Sequence, residues 1–207
     1  MQEHGYPIPA GLHRVESVVD RSRFIATLAQ AGAPEDARAV IDAVRHDFAD
    51  ATHNCWAYVC GPPGSTAAIG MSDAGEPHGT AGRPMLDVLL HSGVGDVVAV
   101  VTRYFGGVKL GRGGLVRAYG GAVQHGLASL PRTRRIERLG LAVTLGYADL
   151  EAFRRLLHDE GVEVVDERYE DVVHYRLAVP AARVAEFERR VADHSAGRAH
   201  IKRTSAH

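Results

Sequence analysis

The chain is short of cysteine, of long apolar runs and of net charge, and each shortage removes a class of protein. Two cysteines among 207 residues, Cys55 and Cys60, exclude a scaffold built on disulfides. They sit five positions apart on one expected strand, too far along an extended backbone to bridge each other. No apolar run approaches the ~20 residues that a membrane-spanning helix needs. The opening MQEHGYPIPAG has neither the basic head nor the apolar core of a secretory leader. A cytoplasmic location without a membrane partner is the expectation. A formal net charge of −1 excludes a polycation that holds nucleic acid with its whole surface, so any basic site has to be local.

What is present centres on Val97 to Gly121, VVAVVTRYFGGVKLGRGGLVRAYGG. Its first five residues are continuously apolar and rich in valine, the pattern of a buried strand. Five glycines follow between 106 and 114, with Lys109 and Arg112 among them. From about Leu115 the apolar positions take a helical spacing through Val116, Tyr119, Val123 and Leu127. Strand, glycine-rich loop and helix start can together receive an anion, because unpaired N–H groups point out of the helix end. Two nucleotide readings fail. After Gly106 and Gly111 a phosphate-binding P-loop requires Lys and then Ser or Thr, and the chain has Arg112 and Gly113. In the dinucleotide pattern the last glycine falls on Val116. The glycines either contact a ligand or only permit close packing of helix on strand.

Along the chain, 1–9 reads as a loose arm, and Leu12–Val19 and Arg23–Leu28 as a hairpin. A helix follows from Pro34 to about Asp50, then strands over Asn54–Cys60 and Ala67–Met71. Ser72–Arg83 is a polar loop, and Thr80 is the expected cap of the next helix. Pro131–Arg138 reads as a linker between a domain over 1–131 and a second over 132–207. The second has the order β-α-β-β-α-β, a ferredoxin-like pattern. The chain as a whole is therefore expected to be α+β.

Several residue groups carry candidate chemistry. From Arg103 to Arg138 eight basic residues face a single acid, Glu137. Within that run Arg103, Tyr104, Lys109, Arg112 and Arg117 suit nucleic acid or another anion, since Arg and Lys engage phosphates and Tyr can stack on a base. They equally suit a solvated basic face. His53 and Cys55 lie two apart on a strand and share a face, so an imidazole could activate the thiol. Cys55 also suits simple core packing. Asp73 and Glu76, with His78, could act as acid and base, or pair with Arg83, Arg103 or Lys109. Their spacing matches no metal motif, and no metal or cofactor is expected. Trp56 and Tyr58 read as core.

Three segments together, THNCWAY, SDAGEPHGTAGRPML and VVTRYFGGVKLGRGGLVRAYGGAV, with Arg23-Phe24-Ile25-Ala26 before them, resemble the IMPACT/YigZ family. The resemblance covers the first domain, and the second fits the family's bacterial members. It implies a ribosomal protein S5 domain 2-like fold for the first domain. For the second it implies a ferredoxin-like fold similar to the fifth domain of elongation factor G. It also implies translational control, through RNA or ribosome contact or through a protein partner. A binding role is expected ahead of an enzymatic one.

Overall fold

The computed structural model describes residues 5–160 and 162–204. The chain forms two compact units, one over Tyr6–Arg135 and one that takes Gly5 together with the chain from Ile136 onward.

The first unit begins with β1 (Gly5–Pro9), so 5–9 is strand where a loose arm was expected, and 1–4 lie outside the described residues. β2 (His13–Val19) and β3 (Ser22–Gln30) form the expected hairpin. Asp20 and Arg21 connect them with φ of 45° and 66°, the left-handed pair that follows the twist of adjacent strands. Helix α1 (Pro34–Asp47) starts on a proline, with Glu35 and Asp36 in its first turn. The Asp36 carboxylate accepts from the Gly32 and Ala33 amides, satisfying donors that a helix start leaves open. Then come β4 (His53–Cys60), β5 (Ala68–Ser72), α2 (Gly82–Leu90), β6 (Val97–Tyr104) and α3 (Gly111–Ser129).

Strands β2-β3-β6-β4-β5 make one antiparallel sheet. β6 lies at its centre and is buried at every position from Val97 to Arg103. Side chains alternate between the faces. Val97, Ala99 and Val101 join Phe24, Leu28, Cys55 and Val59 under Met85 and Leu89 of α2 and Tyr119 and Val123 of α3. Val98 and Val100 join Tyr58 and Cys60 under Ala37, Ile41 and Val44 of α1. The sheet is thus covered on both faces, which explains the unbroken apolar run of β6. Cys55 and Cys60 belong to opposite faces, and both are free thiols.

The expected linker is β7 (Arg132–Ile136), paired with β1. Arg135 binds the buried Asp96 carboxylate at 2.8 Å, and Asp96 also accepts from the Gly61 amide and the Tyr6 hydroxyl. A basic, proline-led segment became strand because a buried acid and an edge were waiting for it. The sequence-derived start of the second domain, residue 132, falls at the first position of this strand.

The second unit contains β8 (Arg138–Leu145), α4 (Tyr147–Glu160), β9 (Glu163–Tyr169), β10 (Val173–Pro180), α5 (Val184–His194) and β11 (His200–Thr204). Its antiparallel sheet runs β11-β8-β10-β9, the ferredoxin-like arrangement. Leu141, Val143, Tyr175 and Leu177 alternate onto the face covered by Phe153 and Leu156 of α4 and Phe187 and Val191 of α5. Both units mix helix with antiparallel sheet, so the chain is α+β as expected.

Candidate functional site

The candidate residues of the first unit divide between two neighbouring places, one buried and one exposed. The buried place follows from strand register. Phe24 on β3 and His53 on β4 both stand opposite Arg103 on β6, so the three form one row across the sheet. The row lies on the face that α3 covers. Arg103 is 5% exposed, with its guanidinium Nη1 2.6 Å from the Glu76 carboxylate and Nη2 3.3 Å from Ser22 Oγ. The Tyr119 hydroxyl on α3 donates to the same Glu76 oxygen at 2.8 Å. His53 Nδ1 donates to the Ala74 carbonyl at 2.9 Å, which leaves Nε2 facing Glu76 at 3.9 Å.

Arg103 therefore does not belong to a basic surface. Position 103 alternates onto the α2/α3 face of β6, and burial there requires a counter-charge. Glu76, expected to pair with Arg83, Arg103 or Lys109, takes Arg103. Removing one member of such a pair leaves a buried charge alone, at a cost of about 3–5 kcal/mol. The contact therefore holds the Ser72–Arg83 loop onto the sheet.

The nucleophile reading of Cys55 fails on the same geometry. Cys55 shares a face with His53, as expected, but its thiol donates to the Asp73 carbonyl at 2.8 Å instead. Burial pushes the thiol up to about 12, and the Glu76 and Asp73 carboxylates push in the same direction. Burial and the nearby carboxylates thus favour the neutral thiol over the thiolate. Asp73 has a structural role. Its carboxylate accepts from the Gly79, Ala81 and Gly82 amides at 2.8, 3.0 and 2.9 Å. Desolvation raises its pKa, yet those three amides outweigh it and the net shift is downward. Asp73 caps α2 from nine residues away, the role expected of Thr80. Thr80 Oγ1 donates instead to the Pro77 carbonyl. Asn54 faces the other side of the sheet and accepts from Thr102. Among the described residues no group of three or more His, Cys, Asp or Glu could hold a metal ion.

The exposed place is the turn from β6 into α3. Gly106 packs against the Asp20–Arg21 turn so closely that a Cβ there would collide with the Arg21 backbone. Gly107 and Gly111 have φ of 85° and 69°, angles that side chains disfavour. Helix α3 starts at Gly111, four residues before the expected start at Leu115; its first turn is mostly glycine and carries no apolar periodicity to mark it. No side chain caps that end and no acid lies in its first turn. Lys109, Arg112 and Arg117 are exposed there and make no ion pair with a carboxylate among the described residues. Arg112 donates to the His78 carbonyl at 2.8 Å, tying the loop before α2 to the start of α3. Arg21, also exposed and without a carboxylate partner among the described residues, adds a fourth cation beside Gly106.

Tyr104 alternates to the opposite face of β6. Its hydroxyl donates to Asp50 at 2.7 Å and its ring lies under the Arg23 guanidinium at 4.9 Å. The hydrogen bond to Asp50 raises its pKa. Elsewhere in the basic run Arg132 donates to the Leu127 carbonyl, Arg135 binds Asp96, and Arg138 donates to the Ala178 carbonyl. Of the residues expected to bind an anion, Lys109, Arg112 and Arg117 are exposed, whereas Arg103 is buried against Glu76 and Tyr104 lies on the opposite face, bonded to Asp50. Sequence reasoning missed Arg21, whose only signal was the close approach at Gly106.

Comparison with known proteins follows this geometry. The Impact N-terminal domain matches residues 20–127, which carry both places just described. The chain belongs to the IMPACT family. A domain of unknown function, DUF1949, matches 143–198 in the second unit. The IMPACT family member YigZ of Escherichia coli (strain K12) is 43% identical over 190 residues, 92% of this chain and 93% of that protein. An IMPACT family member of Haemophilus influenzae is 36% identical over 193 residues, 93% of this chain and 94% of that protein. A crystal structure of a hypothetical protein superposes with a TM-score of 0.75 at 40% identity, covering 100% of both chains. Membership in the IMPACT family supports a translation-related regulatory role at the level of the family. Among the described residues no helix is long and apolar enough to cross a membrane.

Proposed function

We propose that this IMPACT-family chain is a translation-associated binding protein that contacts RNA, free or on the ribosome, through the exposed turn at the start of α3. The observation that carries the reading is a contrast in pairing. Lys109, Arg112 and Arg117 have no carboxylate partner among the described residues, whereas Arg103, six residues before Lys109, is paired with Glu76. Unmatched cations at an uncapped helix start attract phosphate from three sources: side-chain charge, open amides and the helix dipole. Net charge stays near zero, so the attraction is confined to this place.

No covalent chemistry is part of the proposal, because the buried thiol and the capped carboxylate have other duties. The test is equilibrium binding of the full chain to a labelled RNA fragment of the ribosome as monovalent salt is raised. Affinity falls linearly with salt on a double-logarithmic plot when phosphate contacts displace counterions. Absence of binding at low salt, or binding indifferent to salt, would remove the reading.

A further inference from the structure

Phe105 has no role in the fold that accounts for its position. It is 49% exposed, the only aromatic among the exposed large apolar residues described in the first unit. The two exposed tyrosines of the second unit, Tyr147 and Tyr169, are hydrogen-bonded through their hydroxyls, to the Glu170 carbonyl and to Glu167 with Arg154. Phe105 has no such tether. Its backbone, however, is fixed. The Phe105 amide donates to Thr52 Oγ1 at 3.2 Å, and the next amide, of Gly106, donates to Ser22 Oγ at 3.3 Å. The Arg103 guanidinium lies over its ring, 5.6 Å from the centroid. That guanidinium is itself held by Glu76 and Ser22. An exposed ring on a pinned backbone, backed by a buried cation, begins the same loop that carries Lys109 and Arg112.

We propose that Phe105 is a stacking platform for an unpaired base of the RNA whose phosphates meet Lys109, Arg112 and Arg117. The inference rests on the RNA reading above and sharpens it to single-stranded segments. Stacking needs a free π-face with cations within one nucleotide's reach, and it tolerates any base because every base has such a face. A duplex keeps its bases stacked on each other and offers Phe105 only backbone. Tyr104 is less exposed than Phe105, and Asp50 holds its hydroxyl. The buried Arg103 guanidinium thus contributes indirectly, by supporting the ring that the base would meet.

The experiment compares a single-stranded RNA with a hairpin duplex of equal phosphate number, using the full-length protein, Phe105→Ala and Phe105→Trp. Wild type should prefer the single strand. Phe105→Ala should lose roughly tenfold affinity or more for the single strand, little for the duplex, with the salt slope unchanged. Phe105→Trp should keep the affinity, and its added tryptophan emission should be quenched by the single strand alone. A single-stranded DNA of the same length separates stacking from contacts to the 2′-hydroxyl, and stacking predicts similar quenching. If wild type binds RNA but Phe105→Ala binds the single strand equally well, or Phe105→Trp is not quenched, the inference is overturned and the RNA reading survives. If wild type binds neither RNA, both fall.

Discussion

Arg103 and Arg112 belong to one short stretch of chain and have opposite fates. Arg103 ends a buried strand under Tyr119, with Glu76 and Ser22 on its guanidinium. Arg112 opens a helix in the exposed turn, where its partner is a single backbone carbonyl. The difference teaches that charge alone does not mark a binding residue. A buried cation is matched because burial without a match costs several kcal/mol. A surface cation can be left unmatched almost for nothing.

Breaking the buried pair should have the largest effect. Glu76→Ala leaves Arg103 uncompensated, and urea unfolding should show a loss of about 3–5 kcal/mol. Asp73→Ala comes next. It orphans the Gly79, Ala81 and Gly82 amides and should cost about 1–2 kcal/mol by the same measurement. Asp73 also carries a pH signature. Its folded pKa lies below the unfolded value, so its stabilisation is full above about pH 4 and is lost as pH falls through the folded value. In the Asp73→Ala variant the acid limb of the stability curve should flatten. Tyr119→Phe removes one hydrogen bond to Glu76 and should cost about 1 kcal/mol. On the other side of the comparison, Lys109→Ala, Arg112→Ala and Arg117→Ala should each change stability by less than about 0.5 kcal/mol. A large loss there would mean that the exposed cations are structural after all.

Much of this was readable from the chain. The valine run of β6, the hairpin of β2 and β3, and the second unit's order of elements follow from local patterns that burial on one or both faces imposes. The site was only half readable. The basic run is plain in the sequence, but which of its members reach solvent depends on strand alternation and register, and those are set by partners distant in sequence. Arg103 faces His53 and Phe24 only once β6 sits between β3 and β4. Asp73 caps a helix nine residues on, beyond the three-residue reach of local capping patterns. The start of α3 was hidden by its glycines, which carry no periodicity. Phe105 drew no attention because an isolated phenylalanine is ordinarily core.

The most direct test is the salt dependence of RNA binding in wild type against a combined Lys109→Ala, Arg112→Ala, Arg117→Ala variant. If the three cations each engage a phosphate of single-stranded RNA, the slope of log affinity against log salt should shrink by about 2. The unfolding midpoint should stay where it was. An unchanged slope in a stably folded variant would contradict the account.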